Sequence, residues 1–182
     1  MNEITIVVEG ETDVFLIKRI LRSITGVSFR FFAAQGKFSL ATLGRNILFH
    51  EGGSLLVVTD ADTFDVASAQ EQCGLMRTAL RNVSPDGQFN VFAFLPALEI
   101  IFFEMPDTLI RRFGAGVVDP AVIERGHYKP GATLNEILKS SGDTPTSFFK
   151  SLGEEELEYL RRGEQCRGLV AAVETLTPTV AL

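Results

Sequence analysis

The chain has 182 residues, of which 46% are hydrophobic and 22% are charged, and this composition is typical of a folded globular protein. Its formal net charge of −6 argues against a broadly basic surface for nucleic acid, because phosphate binding relies on Lys and Arg. A local phosphate contact through bound cations stays compatible with this charge, since divalent metals reverse the sign of an acidic cluster.

Apolar runs and helical patterns alternate through the first half of the chain. The runs predict strands at 4–8, 28–34, 54–60 and 89–95, and the stretches between them predict helices at 11–24, 37–50 and 65–82. Strands that alternate with helices of this length indicate an α/β fold with a mainly parallel four-stranded sheet flanked by helices. In such sheets, ligands bind outside the carboxyl ends of the strands.

The pattern changes after Pro96, where only helical segments remain. We predict helices at 97–104, 107–113, 133–141, 145–151, 154–161 and 164–176, and a loop with at most one short helical turn at 114–133. The last residues, TLTPTVAL, predict a frayed tail. Two units are expected: a catalytic domain at 1–105 and a helical C-terminal extension at 106–182 that packs on it.

Acidic side chains follow two of the predicted strands. Glu9 comes directly after the first strand and precedes Gly10, a residue that allows a tight turn. Asp60 and Asp62 follow the third strand, and a two-residue spacing in an extended chain directs both side chains the same way. Carboxylates that converge repel one another, so this arrangement calls for a compensating cation. Oxygen ligands in this number favour one or two Mg²⁺ or Mn²⁺ ions over zinc.

The motifs VVEGETD and LLVVTDADTFD, at the ends of two predicted strands, resemble the Toprim domain of topoisomerases, bacterial primases, recombination mediators and OLD-type nucleases. The resemblance covers about residues 1–105 and implies a Toprim-like Rossmannoid fold. It implies that Glu9 is the general acid or base and a metal ligand, and that Asp60 and Asp62 are the metal-binding pair. The segment FRFFAAQGKFSL resembles the second strand and glycine turn of that domain, which places Gly36 near the same sheet edge.

Other polar residues near these motifs have two interpretations each. Asp13 is either a metal ligand or, like Glu11 and Thr12, part of the cap of the first helix, where acids are stabilised by the helix dipole. We favour capping for Glu11 and Thr12, and both alternatives stay open for Asp13. Asp65 is predicted to cap the third helix in the same way.

Glu99 lies in PALEIIFFEMP among apolar neighbours, where an unpaired carboxylate is costly to bury. OLD-type nucleases have an acid in a similar place, so Glu99 is a predicted metal ligand; the alternative is a partly exposed acid at a helix start. Glu104 is predicted to be a surface residue. Lys129 is predicted to contact a phosphate or stabilise the leaving group, as a lysine does in similar nucleases, and a solvated loop residue is the alternative. The same two interpretations apply to Lys37.

Within the Toprim family, the chain lacks the Cys-rich modules of primases and recombination mediators, and neither Tyr128 nor Tyr159 lies in a recognisable DNA-binding domain. The resemblance that remains is to a stand-alone nuclease that hydrolyses DNA or RNA phosphodiester bonds with Mg²⁺ or Mn²⁺, in defence or nucleic-acid processing. The alternative is a non-catalytic Toprim-scaffold subunit that acts with a partner such as an ATPase. Phe148 and Phe149 could dock that partner, although a core role for them is favoured. A homodimer is a further expectation.

Several other classes of protein are disfavoured. No apolar run reaches the roughly 18 residues of a membrane helix, and the N-terminus lacks signal-peptide features, so we expect a cytoplasmic protein without a membrane partner. Cys73 and Cys166 are too few for a disulfide framework or a zinc site. The segments QGKFS and DADT match neither a nucleotide-binding loop nor a haloacid-dehalogenase motif, and His50 and His127 have no evident triad partner.

Overall fold

A computed structural model of the protein describes residues 2–177, so the end of the predicted tail, 178–182, lies outside the described residues. In chain order, the strands are β1 Asn2–Val8, β2 Val27–Ala33, β3 Ser54–Asp60 and β4 Gln88–Phe94. The α-helices of the described part are α1 Glu11–Leu21, α2 Lys37–His50, α3 Val66–Arg81, α4 Ile101–Glu104, α5 Asp107–Phe113, α6 Pro120–Tyr128, α7 Pro130–Ser141, α8 Pro145–Ser151, α9 Glu154–Leu160 and α10 Glu164–Glu174. A 3-10 turn, Leu98–Ile100, precedes α4. No helix within residues 2–177 is both long and apolar enough to cross a membrane.

The four strands form one sheet in the order β2-β1-β3-β4, and every neighbouring pair is parallel. This confirms the predicted α/β fold with a parallel four-stranded sheet, flanking helices and further helices towards the C-terminus. The register aligns the strand ends, because Val8 lies beside Ala33 and Asp60 lies beside Phe94. The segments that follow the strands therefore gather at one edge of the sheet.

Side chains of the central strands alternate between two apolar layers, one on each face of the sheet. The first layer contains Ile4, Ile6, Val8, Leu56 and Val58, and the second contains Val7, Leu55 and Val57. Both faces are therefore buried, which explains why β1 and β3 are almost continuously apolar. Helix α1 packs in the first layer, and α2 packs in the second.

The C-terminal helices extend the first layer. Phe148 and Phe149 of α8 are each 1% exposed, and the Phe149 ring stacks on that of Phe102 with centroids 5.6 Å apart. The core role favoured for these two residues is confirmed. Their rings face the interior, so they do not form a docking surface.

Two arginines connect these helices to α1. The Arg19 guanidinium donates hydrogen bonds to the backbone oxygens of Phe149, at 2.9 Å, and of Leu152. The Arg161 guanidinium donates in the other direction, to the backbone oxygens of Arg19 and Ile20, both at 2.9 Å. Each arginine thus satisfies carbonyl groups at the end of a helix other than its own, where the last carbonyls have no partner within the helix.

The loop predicted at 114–133 is wrong, because α6 and the first turn of α7 occupy most of it. Helix α6 begins after Asp119, whose carboxylate accepts a hydrogen bond from Val122 N at 2.8 Å. Pro120 and Pro130 are the first residues of α6 and α7. Proline is well suited to this position, because the first N–H groups of a helix have no partner within it. Prolines that suggested a loop therefore mark helix starts.

Gly126 of α6 packs directly on the buried ring of Phe103, because a Cβ atom there would lie 2.0 Å from Cδ1 of that ring. We expect Gly126→Ala to lower the free energy of unfolding by about 1–3 kcal/mol, since the ring or the helix has to move. Gly74→Ala in α3 is the matched control, because a Cβ atom meets nothing within 4 Å there. It should stabilise the protein by about 0.5–1 kcal/mol. Denaturant unfolding measures both variants, and equal shifts would contradict the packing.

Candidate functional site

Glu9 follows β1 and is held against the neighbouring strand β3. Its Oε1 atom accepts hydrogen bonds from Thr59 Oγ1 at 2.6 Å and from the Asp60 backbone N–H at 2.9 Å. Its backbone oxygen accepts a hydrogen bond from Gly36 N at 2.9 Å. Gly36 has a φ of 115°, which glycine adopts much more readily than other residues. The Glu9 carboxylate is therefore fixed at the carboxyl edge of the two central strands, with Gly36 beside it as the resemblance implies.

Asp60 is the last residue of β3 and connects this strand to the segment that follows β4. Its Oδ1 atom accepts a hydrogen bond from Leu98 N at 2.9 Å. Leu98 is the first residue of the 3-10 turn, and Glu99 is the second. The bond from Leu98 thus brings Glu99 to the sheet edge where Asp60 lies.

Asp13 makes the capping hydrogen bond of α1, because its Oδ2 atom accepts from Gly10 N at 3.0 Å. The helix begins at Glu11, so Glu11 and Thr12 start it as favoured, with Glu11 in the first turn, while the capping hydrogen bond itself comes from Asp13. The bond comes from the third helical position, whose side chain reaches back towards the helix start. Gly10 has φ −137° and ψ 163°, an extended conformation that any residue adopts. The turn therefore does not depend on the flexibility of glycine, contrary to the prediction.

Glu99 is partly buried beside the start of α7. A Cβ atom at Gly131, the second residue of α7, would lie 3.5 Å from the carboxyl carbon of Glu99. The start of α7 therefore lies in van der Waals contact with this carboxyl group. Burial raises the pKa of Glu99 above its ordinary value.

Four carboxyl groups influence one another at this edge: Glu9, Asp13, Asp60 and Glu99. Burial, followed by the negative charges of Glu99 and Glu9, raises the pKa of Asp60 to about 8. Burial also raises the pKa of Asp13 to about 6, although the hydrogen bond from Gly10 opposes the shift. Carboxyl groups that repel one another in this way either hold protons at neutral pH or take up a positive ion.

A small cavity of about 10 Å³ lies among Glu9, Asp13 and Asp60, close to the room that one water molecule needs. Within residues 2–177, no three His, Cys, Asp or Glu side chains already stand as a set of metal ligands. In each of these three carboxylates, one oxygen accepts a hydrogen bond from the protein. The other oxygen accepts none from the described residues. Carboxylate oxygens are the donors that Mg²⁺ and Mn²⁺ prefer, so the residue types fit such an ion.

Asp62 stands apart from the four acids. It has a φ of 54°, so the extended chain ends at Asp60, and the expected shared direction of the two side chains is not supported. The side chain of Asp62 is 68% exposed, and its Oδ2 atom lies 2.7 Å from Lys37 Nζ. The same ammonium group donates to the backbone oxygen of Asp60 at 2.7 Å. Lys37 therefore lies at the rim of the acids, and Asp62 is its partner.

Lys129, the lysine predicted to contact a phosphate, is exposed and directly precedes α7. Gly131 follows two residues later and packs against Glu99, so Lys129 directly precedes the end of α7 that lies beside the acidic cluster. Lys37 is the lysine that bonds to this edge, through the backbone oxygen of Asp60 and the carboxylate of Asp62. The sequence did not distinguish the two, because the contact of Lys37 arises where α2 begins beside the end of β1.

Asp65 and Glu104 lie outside the cluster and support helix starts. Asp65 accepts a hydrogen bond from Ala67 N at 3.0 Å, which confirms the predicted cap of α3. Glu104 Oε2 accepts from Gln165 N at 3.2 Å, near the start of α10. Burial raises the pKa of Glu104, and the prediction that it is a surface residue is wrong. Its partner lies far along the chain, beyond the reach of local patterns.

The fold and this edge define an α/β protein with clustered acids at the carboxyl ends of its central strands. Comparisons of the chain with protein-family models, with curated proteins and with solved structures found no match. The Toprim resemblance therefore rests on the EGETD and DADTFD motifs and on the strands that they follow.

The raised pKa of Asp60 predicts how stability depends on pH when divalent metal is removed by EDTA. The pKa is about 8 in the folded protein, against an ordinary value of 3.8. Between these values the folded state holds a proton that the unfolded chain releases, so a rising pH favours unfolding. We expect the free energy of unfolding to fall by about 1.4 kcal/mol per pH unit for this proton, from about pH 4 to about pH 8.

Two variants test whether Asp60 causes this slope. Asp60→Asn keeps the acceptor for Leu98 N but cannot ionise, so it should remove most of the slope and stabilise the metal-free protein at about pH 8. Asp65→Asn is the matched control, because the pKa of this exposed cap is lowered, mainly by the hydrogen bond from Ser68, and the slope should persist. Denaturant unfolding across the pH range measures both. A parent protein whose stability is flat or rises between these pH values would contradict the shift.

Proposed function

We propose that this protein is a Toprim-type nuclease that hydrolyses phosphodiester bonds in DNA or RNA with Mg²⁺ or Mn²⁺. The observation that carries the proposal is the convergence of Glu9, Asp13, Asp60 and Glu99 at the carboxyl edge of the sheet. The EGETD and DADTFD motifs contribute three of these acids, and the resemblance gives the first and third of them a catalytic role. Its proposed location is the cytoplasm, with a role in defence or nucleic-acid processing.

The electrostatics of the cluster support a divalent ion as its ligand. Four carboxyl groups in one partly buried place repel one another, and a cation offsets that repulsion. Asp13, Asp60 and Glu99 would hold the ion through their carboxylate oxygens, with Glu9 beside it. A bound Mg²⁺ or Mn²⁺ would polarise a phosphoryl oxygen and lower the pKa of a water molecule.

Glu9 is the proposed general base. Thr59 and the Asp60 N–H both donate to its Oε1 atom, which orients the carboxylate and leaves Oε2 to accept the proton of the attacking water. In this reaction the water oxygen forms a bond to phosphorus, the bond to the leaving oxygen breaks, and that oxygen takes up a proton. No covalent intermediate with the protein is required.

The rim lysines supply positive charge for the phosphate. Lys37 is held beside the acids by the backbone oxygen of Asp60 and by the carboxylate of Asp62. Asp62 would hold a second ion, and Lys37 would contact the phosphate from its position beside Asp60. Lys129 contacts the phosphate or the leaving group from the start of α7.

The alternative of a non-catalytic scaffold that acts with an ATPase has less support. Its suggested docking residues, Phe148 and Phe149, are buried in the core. A cluster of acids costs free energy to keep together, and a non-catalytic scaffold gives no reason for that cost. We therefore favour the nuclease.

The nuclease is tested by cleavage of labelled single- and double-stranded DNA and RNA in Mg²⁺, Mn²⁺ or EDTA. We expect cleavage only with metal, and a loss of about 100-fold or more in Glu9→Gln and Asp60→Asn, the size typical of a general base or a metal ligand. Glu11→Gln is the matched control, because this exposed acid belongs to the same EGETD motif, and it should keep full activity. The assignment fails if no condition gives cleavage, or if all three variants cleave at the parent rate.

Metal binding is expected in the absence of substrate as well. Mg²⁺ or Mn²⁺ should raise the unfolding temperature at about pH 8, because an ion that binds only the folded state stabilises it. Asp60→Asn should lose most of this increase and Glu11→Gln should keep it. The increase should shrink at about pH 5, where Asp60 and Asp13 are protonated in the folded state. Circular dichroism during heating measures it, and an unchanged unfolding temperature at the higher pH would argue against the cation site.

A further inference from the structure

Three large aromatic side chains are exposed on segments that lead to or from the acidic cluster. Phe38 is 100% exposed, Tyr128 is 62% exposed and Phe64 is 51% exposed. Single exposed apolar residues are common on protein surfaces, whereas a group of them beside a polar site indicates a binding surface. The three rings are therefore candidates for a surface that binds a ligand beside the acids.

Phe38 lies on one side of the cluster. It follows Lys37, the residue that begins α2 and whose Nζ atom contacts Asp62 Oδ2 and the backbone oxygen of Asp60. The exposed ring of Phe38 lines a groove with Ala33 and Gln35 at the end of β2, so it lies on the β2 side of the carboxyl edge. A cation and an apolar ring are next to each other at this point of the rim.

Phe64 and Tyr128 form the other side. Their ring centroids are 5.7 Å apart with an interplanar angle of 64°, so the two rings contact each other edge to face. Phe64 belongs to the segment after β3, and Tyr128 directly precedes Lys129 at the start of α7. Phe64 lies four residues after Asp60, and α7, which begins after Lys129, packs against Glu99 through Gly131, so both segments of this aromatic pair lead from the acids.

Each side of the rim thus combines an exposed ring with an adjacent lysine, Lys37 with Phe38 and Lys129 with Tyr128. Single-stranded nucleic acid matches this combination, because its bases stack on aromatic rings while its phosphates contact cations. In a duplex, the faces of the bases are already covered by their neighbours, so the rings would find little to stack on. The lysines beside the rings favour a phosphate-bearing ligand over an apolar segment of a protein.

We propose that Phe38 and the Phe64–Tyr128 pair form a stacking platform that selects single-stranded nucleic acid and holds its backbone over the acidic cluster. This substrate class rests on the proposed nuclease function, because the platform borders the site proposed to cut the phosphodiester bond. Bases on the two sides of the scissile phosphate stack on the two sides of the platform. Lys37 and Lys129 contact the phosphates between them.

Fluorescence anisotropy with labelled oligonucleotides tests the platform, with Ca²⁺ in place of Mg²⁺ to suppress cleavage. Three probes are compared: a single strand of mixed sequence, a blunt duplex of the same sequence, and an abasic single strand with the same number of phosphates. We expect the single strand to bind more tightly than the other two. The abasic strand separates base stacking from phosphate contact.

Phe38→Ala and Tyr128→Ala should each weaken binding of the single strand about 5- to 100-fold, the range for loss of one stacking ring, and leave binding of the abasic strand unchanged. Tyr128→Phe keeps the ring and should bind like the parent. Phe49→Ala is the matched control, since Phe49 is 70% exposed near the other end of α2, and its binding should be unchanged.

Equal binding of the single strand by the parent and both alanine variants would overturn the platform, and so would equal losses on the base-containing and abasic probes. Tighter binding of the duplex would also overturn it. So would no binding of any probe, which is the result expected of a surface that docks a protein. The nuclease assignment fails separately. Ring-dependent binding without cleavage by the parent in Mg²⁺ supports the platform and refutes the nuclease, whereas cleavage that the ring variants leave unchanged does the opposite.

Discussion

The hydrogen bonds between the Glu9 carboxylate and the end of β3 are the interactions on which the rest of the acidic edge depends. The carboxylate accepts hydrogen bonds from Thr59 and from the Asp60 N–H, and so joins the ends of the two central strands. A parallel sheet brings its strand ends to one edge, and this bond sets two acids side by side there. Asp13 and Glu99 add further carboxyl groups to this edge, and each one disfavours the ionised form of Asp60. The surrounding backbone is arranged to tolerate that charge.

Backbone N–H groups offset part of the cost of this charge. Gly10 donates to Asp13, and Leu98 donates to Asp60, so each acid is oriented by a rigid segment next to a strand end or a helix start. A hydrogen bond to the ionised form of a carboxyl group opposes the effect of burial on its pKa. The strands themselves are held between two apolar layers, which leaves little freedom for the acids to move apart.

The sheet was predictable because its signals are local, whereas parts of the site depend on distant contacts. Buried parallel strands are continuously apolar, so β1 and β3 and the acids that follow them could be found from the sequence. Asp62 could not be placed, because its left-handed conformation, two residues after the end of β3, departs from the extended geometry. Glu104 was misplaced because its partner, Gln165, is remote in the chain. Helix α6 was missed because a proline looks the same at a helix start and in a loop.

The contact between Glu99 and Gly131 has a consequence for how the site matures during synthesis. The strands and the first acids emerge from the ribosome well before α7, which closes against Glu99 and carries Tyr128 and Lys129 directly before it. The carboxyl edge is therefore assembled from segments remote in sequence, and the wall beside Glu99 forms only once residues beyond 130 have folded against the sheet.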